Sequence, residues 1–250
     1  MKEQKLVFIT GAAKGIGRAA AQKFLDMGYI AAAADLCFEK ETPEKNLHEF
    51  MMDVTDRSAV ADTIKKVEDT LGEIDVLVSA AGVFETAAAA DTTEADWDHI
   101  YDVNVKGVFN VTQAVANEMK KRKKGSVVIV SSNASKFPRK GMAAYASSKA
   151  AVSMYAKCFA LEMAEYNVRC NIVSPGSTNT DMQRKLWNGS STVPGSVLNG
   201  DLSNYRLGIP LGKIAEPEEI AEAVYFLASA GSGHITMEEL TVDGGATMGV

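Results

Sequence analysis

The stretch Thr10-Gly-Ala-Ala-Lys-Gly-Ile-Gly17 decides the predicted fold. It follows a short apolar run, residues 5–10, that is typical of a buried strand, and it precedes residues 18–28, which have helical spacing. Glycines at a strand-to-helix turn allow backbone N–H groups to approach a pyrophosphate at the N-terminus of the helix. Because ordinary turns also need glycine, the motif alone is a weak signal, and the rest of the chain must support it.

Strand and helix patterns continue to alternate along the chain. The further predicted strands are residues 29–34, 48–53, 74–79, 126–132, 168–174 and 239–242. The further predicted helices begin near Arg57 and cover residues 97–124, 143–165 and 216–228, whereas residues 37–47 are polar and predict a loop. This order predicts one α/β domain over residues 1–250. We expect a doubly wound parallel sheet of about seven strands, with helices on both faces.

Composition excludes several classes of protein. The formal net charge of −6 argues against a nucleic-acid-binding protein, and the basic run at residues 120–124 is typical of a solvated helix terminus. No run reaches the eighteen apolar residues of a membrane span, and nothing resembles a signal peptide, so we expect a cytoplasmic protein. The three cysteines and three histidines lack ligand spacing, which predicts neither a disulfide nor a metal site.

Two carboxylates follow predicted strands in positions suited to a dinucleotide. Asp35 lies eighteen residues after Gly17, where a carboxylate accepts hydrogen bonds from an adenosine ribose. This favours NAD and disfavours the 2′-phosphate of NADP, although Lys14 and Lys40 leave NADP open and Asp35 could be an exposed loop residue. Asp53 is placed to contact the adenine, or to cap the next helix, or both.

Four polar residues suggest the chemistry of the site. In a helix over residues 143–165, Tyr145 and Lys149 share one face, so that an ammonium could lower the pKa of a phenol and make it a proton acceptor. Ser132, at the end of a strand, could hydrogen-bond the same substrate oxygen. Asn104 interrupts an apolar helix face and is either a packing device or a holder of ordered water. By itself, a Tyr-x-x-x-Lys pair is also typical of an ordinary amphipathic helix.

Taken together, these motifs resemble the short-chain dehydrogenase/reductase family along essentially the whole chain. The matching motifs, in the family's usual order, are the glycine turn at residues 10–17, Asp53, Asn104, Ser132, Tyr145 with Lys149, Pro175-Gly176 and the sequence Val-Asp-Gly-Gly at residues 242–245. The resemblance implies a Rossmann fold, Tyr145 as acid/base, Lys149 lowering its pKa and holding the nicotinamide ribose, and Asn104 supporting a water relay. The chain departs from the family at residues 79–82, where Ser-Ala-Ala-Gly replaces the frequent Asn-Asn-Ala-Gly, which puts the usual strand-support contacts in doubt.

The expected dinucleotide site contains residues from every part of the predicted sheet. These residues are Gly11, Lys14, Gly15, Ile16, Gly17, Asp35, Leu36, Asp53, Val54, Ala80, Ala81, Gly82, Tyr145, Lys149, Pro175, Gly176, Thr178 and Thr180. Residues 176–210 break the strand and helix alternation, and we expect them to form a substrate lid.

Residues 169–187, 208–213 and 233–236 carry a narrower resemblance, to family members that oxidise a cyclohexadiene diol carboxylate for catechol siderophore biosynthesis. A carboxylate favours an arginine partner, for which Arg139 is the first candidate and Gln183 and Arg184 are the next. The residues expected at the substrate are Ser132, Arg139, Met142, Tyr145, Met182, Gln183 and Trp187. The alternatives are surface arginines with a lid packed on itself.

Other functions stay open at this point. A 3-oxoacyl reductase or a sugar-alcohol dehydrogenase would share the catalytic residues, and a dinucleotide-sensing module without catalysis would share the fold. Helices over residues 97–124 and 143–165 carry apolar residues on more than one face, which, with the family's habit, predicts a homotetramer.

Overall fold

Seven parallel strands form one sheet in this computed structural model, which describes residues 4–38, 44–187, 190 and 192–249. The strands are β1 (Leu6–Thr10), β2 (Ile30–Asp35), β3 (Leu47–Met51), β4 (Ile74–Ser79), β5 (Gly125–Val130), β6 (Val168–Pro175) and β7 (Glu239–Val242). Their order across the sheet is β3-β2-β1-β4-β5-β6-β7, so the order reverses between β1 and β4. Open sheets of this kind bind ligands outside such a reversal, at the carboxyl ends of the strands.

Helices cover both faces of the sheet. They are α1 (Gly15–Asp26), α2 (Arg57–Leu71), α3 (Glu94–Tyr101), α4 (Gly107–Arg122), α5 (Ala143–Met163), α6 (Asp181–Lys185), α7 (Gly195–Leu198) and α8 (Pro217–Ala228). Strand β1 shows how the two layers arise, because its side chains alternate between two separate cores. Leu6 and Phe8 pack into the core under α2, α4 and α5, whereas Val7 and Ile9 pack into the core under α1 and α8. The predicted single-domain, doubly wound α/β fold is thus confirmed.

One predicted helix differs from the structure. Residues 97–124 were expected to form a continuous helix, but the chain makes α3, then a π-helical turn at Asp102–Lys106, then α4. Helix α3 begins earlier than predicted because the Thr93 side chain accepts a hydrogen bond from the Asp96 N–H and caps it. A π-helical turn admits one extra residue per turn, and such turns are frequent at functional sites.

The segments around the sheet agree in part with the sequence. The predicted loop at residues 37–47 ends where β3 begins at Leu47, and Lys40 lies outside the described residues. The described part of residues 176–210 contains two short helices, α6 and α7, and a 3-10 turn at Leu202–Asn204. In the residues that the structure describes, no helix has the length and apolar character needed to cross a membrane.

Candidate active site

A cleft of about 410 Å³ opens at the carboxyl ends of the strands. Every residue expected at the dinucleotide contributes to its lining, from the glycine turn at one end to Pro175, Gly176, Thr178 and Thr180 at the other. Six of the seven residues expected at the substrate line it as well. The topology therefore brings together residues that lie more than a hundred positions apart in the chain.

The glycine turn after β1 forms one wall of the cleft. Gly11 has a φ of +69°, and a Cβ at this position would lie 2.7 Å from the backbone of Ala81. A Cβ at Gly17 would lie only 2.1 Å from the carbonyl oxygen of Gly11, so both positions require glycine. The Thr10 hydroxyl accepts hydrogen bonds of 3.2 Å from the N–H groups of Ala80 and Ala81. These bonds join β1 to the end of β4, in the segment that departs from the family pattern.

The two carboxylates lie beside this wall. Asp35, the last residue of β2, accepts hydrogen bonds from the N–H groups of Ala13 at 2.9 Å and Leu36 at 2.7 Å. Asp53 accepts from the N–H and the hydroxyl of Thr55, both at 2.8 Å. The alternative that Asp53 caps α2 is wrong, because the cap is Asp56, three residues closer to the helix. Asp53 is therefore held by its own turn and lines the cleft.

A hydroxyl, a phenol and an amine meet at the other end of the cleft. Tyr145 and Lys149 lie one turn apart on α5, with the Lys149 Nζ 5.9 Å from the centre of the Tyr145 ring. The Lys149 ammonium donates a hydrogen bond of 3.1 Å to the Val130 carbonyl. Ser132 follows β5 in extended conformation, and its hydroxyl oxygen accepts from the Ala134 N–H at 3.1 Å. The strand end and the helix thus hold the three groups in one place.

The expected lowering of the Tyr145 pKa by Lys149 stays a prediction, and the structure adds two other influences on that pKa. Burial raises the pKa of Tyr145, and a hydrogen bond from Ser132 is what acts to lower that pKa. Burial also lowers the pKa of Lys149 to about 8, because its ammonium is moved out of water without a carboxylate beside it. The sequence places a cation one turn from the phenol, but the loss of solvent around both groups is set by the fold.

Asn104 lies in the π-helical turn, behind the cleft wall. Its Oδ1 accepts from the Val83 N–H at 2.8 Å, and its Nδ2 donates to the Val83 carbonyl at 3.0 Å and to the Ser148 hydroxyl at 3.1 Å. The side chain is fully buried and does not contribute to the lining formed by the described residues. Its amide therefore ties the segment after β4 to α5, as the packing alternative predicts, and a role in a water relay stays a prediction.

A buried carboxylate anchors α5 from behind. Glu239, the first residue of β7, accepts hydrogen bonds from the hydroxyls of Ser135, Ser153 and Ser174 and from the Lys157 ammonium. Burial alone would raise its pKa, but these donors outweigh burial and lower it. The carboxylate consequently stays ionised and joins three segments around the helix that carries Tyr145.

The substrate candidates are not all brought together. Arg139, Met142, Met182 and Gln183 line the cleft beside Ser132 and Tyr145. The structure does not bring Trp187 together with them, because its side chain packs against the small apolar cluster of Val197, Ile209, Ile214 and Ala246 and is not among the described residues that line the cleft.

Several lining residues were not predicted from the sequence, and three of them carry an aromatic ring, an imidazole or a guanidinium. The Phe84 ring packs edge-on against Tyr145 at 4.5 Å, and His99 and Arg206 also line the cleft. Phe84 and His99 carry no spacing signal. Arg206 carries a different signal, since it is the sole Lys or Arg between Lys185 and Lys213 in the sequence. A cation isolated in a polar segment could have been predicted as a binding residue.

The residues present fit a nicotinamide dinucleotide. The glycine turn borders the cleft with backbone alone, because a Cβ at Gly11 or Gly17 would clash with neighbouring backbone atoms. A Cβ at Gly82 would lie 3.2 Å from Asn104 Oδ1. The N-terminus of α1 follows directly, which suits a pyrophosphate, and a carboxylate stands at the end of β2, which suits a ribose.

Comparisons with known proteins agree with this geometry. The short chain dehydrogenase family model matches residues 5–191. The 2,3-dihydro-2,3-dihydroxybenzoate dehydrogenase of Bacillus subtilis (strain 168) is 46% identical, with 99% of this chain and 98% of the relative covered. The enzyme of that name from Escherichia coli (strain K12) is 42% identical, with 98% of each covered.

A solved structure shares the fold over the whole chain. ElxO with NADP bound superposes with a TM-score of 0.88 at 28% identity and covers 98% of this chain and 100% of its own. A nicotinamide dinucleotide is thus the cofactor class of this site. With the family model covering residues 5–191 and relatives matched over their full length, this chain belongs to the short-chain dehydrogenase/reductase family.

Proposed function

We propose that this protein oxidises 2,3-dihydro-2,3-dihydroxybenzoate to 2,3-dihydroxybenzoate, with NAD as hydride acceptor, in catechol siderophore biosynthesis. The observation that carries the proposal is the 46% identity, over 99% of this chain, with a relative of that activity by name. The geometry supports it, because Ser132, Tyr145 and Lys149 converge in a cleft that also contains a half-buried arginine, Arg139.

In the proposed reaction, Tyr145 accepts the proton of the C3 hydroxyl as the C3–H bond breaks. The nicotinamide of a bound dinucleotide supplies the hydride acceptor. Ser132 hydrogen-bonds the same substrate oxygen and stabilises the phenolate form of Tyr145, the direction in which it already shifts the pKa of that residue. The C3 ketone becomes an aromatic catechol when the C2 proton moves to the C3 oxygen, so the oxidation is favoured.

Lys149 has two proposed tasks. Its ammonium, held by the Val130 carbonyl at the cleft, would donate hydrogen bonds to the nicotinamide ribose of a bound dinucleotide. With a pKa of about 8, it can also exchange a proton at neutral or mildly alkaline pH, which lets it accept the proton that Tyr145 has taken.

We propose NAD rather than NADP because of Asp35. Its carboxylate lines the cleft at the end of β2, where it would accept hydrogen bonds from ribose hydroxyls and repel a 2′-phosphate. Lys14 is the cation among the described residues that could favour NADP, and its ammonium lies 3.8 Å from the Asp181 carboxylate. This ion pair neutralises part of the attraction that Lys14 would offer to a phosphate.

We also propose a cytoplasmic homotetramer with residues 176–210 as a substrate lid. The support is apolar surface on α5, where Met154 is 61% and Leu161 66% exposed in the single chain, and on α4, where Phe109 is 37% exposed. Light scattering coupled to gel filtration should give four times the chain mass, and a monomer would refute this assembly.

The function is tested by following dinucleotide reduction with the purified protein. The dihydrodiol carboxylate should be oxidised with NAD at a kcat/KM well above that for 3-hydroxyacyl thioesters and sugar alcohols. Absence of turnover with the dihydrodiol would refute the assignment. Preferential turnover of one of the other alcohols would reassign the protein within its family.

A further inference from the structure

Two arginines line the substrate end of the cleft without an acidic partner. Neither Arg139 nor Arg206 takes part in an ion pair among the residues that the structure describes. The Nη1 of Arg139 is buried and has no hydrogen-bond partner in that part of the chain, and its guanidinium packs 5.3 Å from the centre of the Phe137 ring. A buried N–H donor without an acceptor is unfavourable, so a ligand that accepts a hydrogen bond from this atom would be stabilised.

Arg206 is held in place by its own turn. Backbone hydrogen bonds join it to Asp201 in both directions, at 2.8 and 2.9 Å, and its Nη2 donates to the Ser177 hydroxyl at 3.2 Å. The Asp201 carboxylate makes no ion pair with the guanidinium among the described residues and accepts hydrogen bonds from Ser203 and Asn204. Burial lowers the pKa of Arg206, and the charge of Asp201 acts in the opposite direction. The charge of Arg206 therefore faces the cleft from an ordered segment of the lid region.

The positive charges of Arg139 and Arg206 repel each other. Burial lowers the pKa of Arg139, and the positive charge of Arg206 lowers it further, whereas Asp243 acts in the opposite direction. The Asp243 carboxylate accepts hydrogen bonds from Asn133 and Thr247 and makes no ion pair with Arg139 among the described residues, so its charge offsets the two cations only in part. An anion between the two guanidinium groups would relieve their repulsion and provide the missing acceptor.

We propose that Arg206 binds the carboxylate of the substrate together with Arg139 and so determines specificity for carboxylated diols. This inference rests on the proposed function, because it takes the carboxylated diol as substrate. Guanidinium groups bind carboxylates in bidentate geometry, and two of them can serve both carboxylate oxygens. Fixing the carboxylate at this end orients the ring, so that the C3 hydroxyl faces Ser132 and Tyr145.

Arg184 provides a matched control from the same region. Its Nε and Nη2 both donate to the Asn179 side-chain oxygen, at 2.9 and 2.7 Å, and it is not among the described residues lining the cleft. It has the same chemistry as Arg206, but two of its donors converge on Asn179 and it lies outside the described cleft lining.

The test compares the carboxylated dihydrodiol with a carboxyl-free cyclohexadiene diol. Arg206→Met should reduce kcat/KM for the carboxylated diol by roughly 10- to 100-fold, mainly through KM, and leave the carboxyl-free diol nearly unchanged. Arg139→Met should act in the same direction, Arg206→Lys should recover part of the loss, and Arg184→Met should keep the wild-type preference. An equal loss on both diols in Arg206→Met would overturn the inference.

A binding measurement separates this inference from the proposed function. Calorimetry on the dinucleotide-loaded protein should show tighter binding of 2,3-dihydroxybenzoate than of catechol, and Arg206→Met should abolish the difference. If that pattern holds without any turnover of the dihydrodiol, the carboxylate site stands and the proposed function fails. If the dihydrodiol is turned over but the wild-type protein binds both ligands equally, the carboxylate site fails and the function stands. Thermal unfolding confirms that each variant is folded.

Discussion

The two ends of the cleft are built in different ways. The dinucleotide end is shaped by backbone, because Gly11 and Gly17 let the chain pass where no Cβ fits. The substrate end consists of side chains from separate segments, with Ser132 after β5, Tyr145 on α5 and Arg206 in the lid region. We infer that substitutions at the first end act by steric exclusion on dinucleotide affinity, whereas those at the second act on rate and selectivity.

The largest expected effect is at the substrate end. Tyr145→Phe removes the proposed proton acceptor and should lower kcat by roughly 10³-fold, since positioned acid–base groups contribute on the order of 10²- to 10⁴-fold. Dinucleotide affinity, measured by fluorescence titration, should be retained. Tyr155→Phe is the control on the same helix, because the Tyr155 hydroxyl meets Thr112 at 2.7 Å and lies outside the cleft lining of the described residues. Unchanged kcat in Tyr145→Phe would contradict the acid–base role.

The next effect is at the dinucleotide end. Gly17→Ala places a Cβ 2.1 Å from the Gly11 carbonyl oxygen, so the turn must shift, and we expect the dinucleotide Kd to rise by roughly 100-fold, or about 2.7 kcal/mol. The control is Gly28→Ala, whose Cβ would have no atom within 4 Å although its φ is +83°. That variant should lose about 1 kcal/mol of stability and bind normally. Equal dinucleotide Kd values for the two variants would contradict the inference that the backbone at Gly17 determines dinucleotide affinity.

A smaller effect sharpens the proposal for NAD. Asp35→Asn removes one negative charge and keeps an oxygen that can accept from the Ala13 N–H. The preference for NAD over NADP should fall about fivefold, since two unit charges at about 4 Å interact by ~1 kcal/mol in water. The ratio of kcat/KM values measures this. Asp56→Asn, which alters the cap of α2, should leave the ratio unchanged.

The smallest effect concerns stability. Because burial lowers the pKa of Lys149 to about 8, the folded protein binds fewer protons than the unfolded chain between about pH 8 and the ordinary lysine value of 10.5. The cost of the buried charge is therefore full below pH 8 and fades as the pH rises to 10.5. Lys149→Met should lose activity. Its free energy of unfolding at pH 7 should exceed that of the wild type by on the order of 3 kcal/mol at most, so it should unfold at a higher temperature.

The stability gain of Lys149→Met should shrink as the pH approaches 10.5. Thermal unfolding of both proteins across this pH range is the measurement. A gain independent of pH would mean that Lys149 is not buried as a charge, and its proposed proton exchange near pH 8 would lose its basis.

The fold and the dinucleotide end could be predicted because their signals are local. The glycine spacing in residues 10–17 predicts a turn in which backbone segments approach each other closely. The placement of Asp35 at the end of a strand predicts a carboxylate at the carboxyl edge of the sheet. The periodicity of apolar residues predicted the strands and most of the long helices to within a few residues. Tyr145 and Lys149 were found for the same reason, since one helical turn separates them.

The remainder depends on tertiary contacts that spacing does not encode. The sequence does not show that Val197, Ile209, Ile214 and Ala246 form an apolar cluster, so Trp187 was assigned to the substrate instead. Nor does it show that burial outweighs the hydrogen bond from Ser132 in setting the pKa of Tyr145. The sequence marks Arg206 as an isolated cation, but its pairing with Arg139 depends on the fold that brings both to the cleft.

The π-helical turn at Asp102–Lys106 holds one residue more than a regular helical turn between α3 and α4. Deleting one residue there would restore a regular helix and leave the rotational phase of α4 nearly unchanged, so Val108, Val111 and Val115 would stay in the core. Asn104 would shift relative to Val83 and Ser148, its present partners. We therefore expect an in-frame deletion in this turn to leave the protein folded and to disturb the attachment of the segment after β4 to α5.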